Sequence, residues 1–173
     1  MPSWASPGYR NCMVGTFADV VVADAIVKNI PGFDLHLAVD ALMKDSFEEP
    51  PSISGGAAGK DGLKRYVQFG YIPEDTPRSG ESVSRTLDFG FADYSVAQAF
   101  LKLATHPEFA SRKQELMDKS AELMKRSTRA SESLFDSKEG LMVPKNSKGV
   151  RSFSFNPITW GSGFTEGKLY WFP

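Results

Sequence analysis

The chain has a single cysteine, Cys12, among 173 residues. That excludes an internal disulfide and a cysteine metal cluster. Histidine is nearly as scarce. His36 and His106 stand far apart and form no HExxH-type pair. Neither sign of charge dominates: the net charge is −1, so no global field draws the chain toward nucleic acid or a membrane surface. The longest apolar run, Val20 to Ala23, is far short of the roughly 20 residues that span a bilayer. The opening MPSWASPGYRN lacks a basic region followed by an apolar one, so no signal peptide is expected within the chain. What is present is 41% hydrophobic and 24% charged, the composition of one globular domain with a core of its own.

Helical periodicity dominates. MVGTFADVVVADAIVKNI carries Met13, Phe17, Val20, Val21 and Val27 at helical spacing, with Val14, Val22 and Ile26 on other faces. A helix apolar on several sides is buried between neighbours, and Pro31-Gly32 should stop it. Asp34 can cap a second helix whose face is Leu35, Ala38, Val39 and Leu42. PPSISGGAAGKDG reads as a loop. LKRYVQF reads as a short helix ending at Gly70. ESVSRTLDFGFADYSVAQAFLKLA gives a fourth helix with two stripes. One is Val83, Leu87, Phe91, Tyr94, Ala97 and Leu101; the other is Phe89, Val96, Phe100 and Leu103. Gly90 inside it costs about 1 kcal/mol against alanine, which implies close packing.

A fifth helix is predicted from Pro107, a favoured first helical residue. Phe109, Leu116, Leu123 and Ala130 recur every seven residues, and Ser127 is a candidate break. Lys113, Ser120 and Ser127 on the alternate seam argue for an ordinary packed helix over a coiled coil. GLMVPKNSKGVRSFSF then suggests a β-hairpin around NSKG, with Pro144 making its first strand an edge or irregular one. A new helix is expected near Thr165, with Glu166 in its first turn. The fold class is therefore all-α. Helical hairpins sharing a wall occur in an α/α toroid or an α-solenoid, and the lack of a fixed repeat length counts against the solenoid.

Four constellations could carry chemistry. GGAAGK has the wrong glycine spacing for a phosphate loop, and Asp61 stands where serine or threonine should hold magnesium. Asp19 and Asp24, in a mostly apolar helix, are either helix-end charges or include one that faces a central polar cavity. Arg85 and Asp88, three apart, can form a structural ion pair. Asp93, between aromatic neighbours, needs a partner if it is buried. Glu166 is one of 21 acidic residues, and composition alone gives it no special standing.

Several segments together resemble glycoside hydrolase family 92, the calcium-dependent α-mannosidases. They are SPGYRNCMVGTFADVVVADA with KNIPGFD, then FGYIPED, ESVSRTLDFGFADYSVAQ, SLFDSKEGLMVPKNSKG and NPITWGSGFTEG. Their order and rough spacing match over almost the whole chain. The resemblance implies an exo-acting, inverting α-mannosidase of α-1,2 type on an (α/α)6 toroid. An acid protonates the glycosidic oxygen and a base activates water. It also implies mannose-containing glycans as substrates and a calcium ion that helps bind and distort the sugar. Glu166, in FTEG, inherits the role of general acid. The family's base lies downstream in an acidic motif that nothing here matches, and most calcium ligands and sugar contacts lie outside the matching stretch. Family members are often secreted.

Residues 1–173 are thus expected to form part of the toroidal catalytic domain of a larger glycosidase. After Gly167 the family continues into an aromatic-rich helix, whereas this chain reads KLYWFP and stops. The expectation is a fragment ending inside the active-site region, with little or no activity alone. The alternative is a non-catalytic helical module that binds a glycan or protein partner.

Overall fold

The computed structural model describes residues 14–53, 56–57, 59–77 and 80–165. It contains helices α1 (Phe17–Val27), α2 (Leu35–Phe47), α3 (Leu63–Phe69), α4 (Ser82–Leu103) and α5 (Lys113–Leu134). Two minimal antiparallel ladders accompany them. Strands β1 (Ser52–Ile53) and β2 (Gly56–Ala57) pair with each other, as do β3 (Phe135–Asp136) and β4 (Leu141–Met142). The all-α expectation holds, with two departures at the strands. The segment read as a loop between α2 and α3 carries the first ladder. The C-terminal hairpin pairs residues 135–136 with 141–142. The NSKG turn forms no ladder: it has one isolated bridge, Lys145 to Arg151, and Asn146 closes it by donating to the Val150 carbonyl and accepting from Gly149 N–H.

The helix boundaries follow local chemistry. Asp34 caps α2, its side chain accepting from the Leu37 N–H at 3.0 Å. α1 stops before Pro31, because Asn29 turns left-handed at φ 54°. α3 ends at Gly70, φ 84°, where the Arg129 side chain covers the glycine and donates to the carbonyls of Val67 and Gln68. An arginine of α5 thus satisfies the C-terminal carbonyls of α3. Pro107 opens a 3-10 turn, Pro107–Arg112, before α5 proper, and α5 runs through Ser127 without a break.

α4 is the wall shared by the other helices, packing along α5 on one side and α1 on the other. Phe89, Val96, Phe100 and Leu103 are all buried, as are Phe109, Leu116, Leu123 and Ala130 from the facing segment. Each large side chain buried this way contributes roughly 1.5–3 kcal/mol. Ser120, on the weak seam, donates to the Ala97 carbonyl at 2.9 Å, so a polar residue in the interface is satisfied. Gly90 has the close-packing reason its sequence implied: a Cβ there would lie 3.0 Å from the Ala130 Cβ. The other stripe of α4 departs from expectation. Val83 and Ala97 are buried, but Phe91, Tyr94 and Leu101 remain about half exposed, Phe91 lying against the exposed Phe17 of α1.

A second cluster (Tyr71, Val83, Leu134, Val143, Phe155 and Phe164) packs at the start of α4. It joins the C-terminal segment to the chain before α4. Tyr71 donates its hydroxyl to the Asn146 carbonyl at 2.7 Å, Glu74 N–H donates to Lys145 O, and Ser147 donates twice to Asp75 at 2.8 Å. The Ser147 hydroxyl, first among several donors, holds the Asp75 carboxyl below its ordinary range.

Candidate active-site loop

The segment GFT, just before Glu166, is fixed to the first turn of α4. The backbone N–H groups of Val83 and Ser84 both donate to the Gly163 carbonyl, at 2.7 and 3.2 Å. Thr165 N–H donates to Ser84 Oγ at 2.8 Å. These first-turn N–H groups have no intrahelical acceptor, so a carbonyl from the loop is a natural partner. Phe164 between them is 3% exposed and sits in the second cluster. Gly163 has φ 86°, and a Cβ there would lie 3.0 Å from Ser82 Oγ and 3.2 Å from Pro144 Cβ. Two constraints therefore require glycine: the backbone conformation and the space. The loop reaches Thr165 on a built platform. Glu166 itself, and the helix expected to follow Thr165, lie outside the described residues.

One turn along α4 from Ser84 stands Asp88, 7% exposed. The ion pair expected between Arg85 and Asp88 does not form. Arg85 turns instead to Glu81 Oε2 at 3.3 Å and to Asp61, meeting its carbonyl at 3.3 Å and its carboxylate at 3.7 Å. Both the i,i+3 and the i,i−4 acid lay within helical reach, and the long-range Asp61 decided the choice. Asp88 is left against Gly15, whose added Cβ would lie 3.0 Å from Oδ2. Burial without a counter-charge pushes its carboxyl up to about 6. A buried carboxyl raised in this way, beside the candidate loop, is the kind of group that serves acid–base chemistry or polar recognition.

Deeper, α4 carries Asp93, which is fully buried and does have partners. Lys60 Nζ donates to Oδ1 at 2.8 Å, Tyr66 OH to Oδ2 at 3.1 Å, and Arg126 to both oxygens at 2.9 and 3.0 Å. Arg126 also donates to the Ser46 carbonyl at 2.9 Å. Lys60, from the loop that only superficially resembled a phosphate site, is 0% exposed and enclosed by protein. Its Nζ lies 4.0 Å from Asp19 Oδ2. Asp19 is buried in this cluster, whereas Asp24 is at the surface, paired with Lys28 at 2.7 Å. Sequence reasoning missed Lys60 as a structural cation. The signal was Asp93, whose aromatic setting demanded one.

Among the described residues, no three of His, Cys, Asp and Glu converge into a metal site. Where Asp19 and Asp93 come together, Lys60 already supplies the positive charge. These residues therefore do not fit a calcium ion, and no chemical step is routed through one. No described helix is long and apolar enough to cross a membrane.

Helices packed on one central wall, with a loop docked on the head of that wall, make up part of an α/α helical domain. The family profile of the glycosyl hydrolase family 92 catalytic domain matches residues 1–171, and the chain belongs to that family. An inverting family 92 mannosidase from Bacteroides thetaiotaomicron superposes with a TM-score of 0.76 at 29% identity, covering 96% of this chain and 20% of that one. A family 92 α-mannosidase from the same organism gives 0.72 at 31% identity, covering 90% and 18%. The latter's complex with mannoimidazole gives 0.72 at 30% identity, covering 90% and 19%. A secreted glycosidase from Arthroderma benhamiae is 40% identical over 89 residues, 47% of this chain and 11% of that protein. The helical architecture is thus that of the family's (α/α)6 fold, represented in part. The chain spans about a fifth of the length of the solved structures it matches.

Proposed function

We propose that residues 1–173 form the general-acid segment of an exo-acting, inverting α-mannosidase of α-1,2 type, with Glu166 as the acid. The observation that carries this reading is the docking of Gly163 and Thr165 onto the first turn of α4, in a chain of family 92. Such a mooring fixes the chain as far as Thr165, and acid catalysis depends on a carboxyl held within hydrogen-bond reach of the leaving oxygen. In the reaction, Glu166 protonates the glycosidic oxygen as the bond to the mannose ring breaks. A carboxylate from outside this segment takes a proton from the water that attacks the opposite face. Calcium, if the parent enzyme binds it as the family resemblance implies, would supply contacts that help hold the sugar. Most of its ligands would come from outside this chain. A secreted parent enzyme agrees with the description of the fungal relative.

Because the base comes from elsewhere, the chain alone should not turn over substrate. The test is purified chain with calcium on an aryl α-mannoside and on α-1,2-mannobiose. No turnover is the expected result. Turnover that survives Glu166→Gln would sink the assignment of the acid, and turnover abolished by it would show that the segment is catalytically complete.

A further inference from the structure

We infer that Asp88, with the exposed rings of Phe17 and Phe91, forms a sugar-binding subsite beside the Gly163–Thr165 loop. Its carboxylate accepts hydroxyl groups of a mannose ring of the substrate, and the aromatic pair bears the apolar face of that ring. The choice of sugar rests on the mannosidase reading above.

The geometry gathers these groups from two helices. Asp88 follows Ser84 by one turn of α4, so the two side chains share a face. Ser84 Oγ accepts the Thr165 N–H at 2.8 Å, which sets the candidate loop next to Asp88. Phe91 stands three residues further along the same face. From the α1 side, Gly15 closes the arrangement. The point where its Cβ would stand lies 3.0 Å from Asp88 Oδ2 and 2.5 Å from Phe17 Cε2. Carboxylate and ring therefore flank one spot that a side chain at position 15 would fill. The Phe17 and Phe91 rings meet at 6.2 Å between centroids, tilted by 50°. Carboxylate, ring and ring are contiguous.

What Asp88 lacks points to a ligand. It is 7% exposed, yet among the described residues no donor or cation pairs with it, and burial alone accounts for its raised carboxyl. Asp93, one and a half turns along the same helix, has Lys60, Tyr66 and Arg126 as donors. The Oδ2 atoms of Asp19 and Asp45 are sealed in protein, but the oxygens of Asp88 still reach the surface. A buried carboxylate without partners works against folding. Stability given up at a single position is common where a ligand is bound, and here the ligand's donors would take the place of the missing partners.

The chemistry of the ligand follows from the groups. A carboxylate only accepts hydrogen bonds, so the ligand must donate. Phe17 and Phe91 are about half exposed and offer apolar faces with negative quadrupole potential. A pyranose supplies both complements: hydroxyl donors on its rim and C–H groups on its face. Aromatic side chains with a few placed polar groups are the usual lining of a small-molecule site.

The experiment is titration of the full chain with α-1,2-mannobiose at about pH 8, where Asp88 is ionised, followed through backbone amide shifts. Shifts should centre on Gly15, Phe17, Ser84 to Phe91 and Thr165, with a Kd in the millimolar range. Asp88→Asn should weaken binding at least about tenfold, the worth of a hydrogen bond to a charged acceptor. Phe91→Ala should weaken it about threefold or more. Asp88→Asn removes an unfavourable charge, so it should fold at least as well as the wild type, and its unfolding midpoint checks this. No shift in these residues up to about 0.1 M disaccharide, or a Kd that Asp88→Asn leaves unchanged, overturns the subsite. The two readings fail separately, because binding involves no proton transfer. Asp88-dependent binding stands even if Glu166 is not the acid, and a Glu166 that behaves as the acid does not rescue a subsite indifferent to Asp88→Asn.

Discussion

Replacing Asp93 by asparagine should strongly destabilise the fold. Asparagine keeps the shape of aspartate and can still accept one hydrogen bond, so no cavity forms. What disappears is, among the described residues, the closest counter-charge of Lys60, which is fully buried and whose next anion, Asp19, lies 4.0 Å away. Arg126 loses its bidentate partner too, but it is 10% exposed and has Glu122 at 4.0 Å, so water and that glutamate relieve it in part. Stranding one partner of a buried ion pair costs about 3–5 kcal/mol. Asp19 at 4.0 Å offsets part of this loss, which places the expectation near the lower end, about 3 kcal/mol. For a chain of this size that is a fall in melting temperature of roughly 6–12 °C. Urea unfolding of the wild type, Asp93→Asn, Lys60→Met and the double variant gives the cycle. The double variant should be less destabilised than the sum of the singles by at least about 1 kcal/mol, as for residues in direct contact. Asp93→Asn within about 1 kcal/mol of wild type, or additive singles, would refute the view that this cluster fastens the helices together.

Two other substitutions probe the loop and its surroundings. Gly163→Ala, which meets both a positive φ and a Cβ 3.0 Å from Ser82 Oγ, should cost about 1–3 kcal/mol in chemical unfolding and loosen the mooring of Thr165; a neutral result would mean the loop is not held where described. Asp88→Asn should stabilise the chain above pH 6 and leave it unchanged near pH 4. The folded carboxyl is raised to about 6 from 3.8, so ionisation works against folding as pH rises through that window, by up to about 3 kcal/mol. Unfolding midpoints at the two pH values test this, and equal effects at both would contradict it.

Much of the wall was legible in the sequence because it rests on local rules. The Asp34 cap, the Gly70 stop and the heptad from Phe109 to Ala130 are each set by spacing and residue type, and each is present. The need for a close neighbour at Gly90 could also be read from its cost in a helix. What local rules could not supply was choice among partners. Arg85 could reach Asp88 or Glu81 along the helix, and only the fold brings Asp61 to it. Lys60 lies 33 residues from Asp93, a pairing that no periodicity reveals. Phe91, Tyr94 and Leu101 read as a buried stripe from their spacing, but spacing does not say whether anything covers them. The loop before Glu166 was recognised through its likeness to a family, not through its composition. Its physical reason, a glycine carbonyl accepting from the head of α4, became visible only in the fold.

The most direct test of Glu166 as the general acid is its leaving-group dependence in a completed enzyme. In a chimera, residues 1–173 replace the matching fifth of the inverting Bacteroides thetaiotaomicron mannosidase. With that chimera as reference, Glu166→Gln should lower kcat on α-1,2-mannobiose, whose leaving sugar needs a proton, by about 10²–10⁴-fold. It should lower kcat far less on an aryl α-mannoside with an acidic phenol. An equal loss on both substrates, or no loss on either, would contradict the assignment.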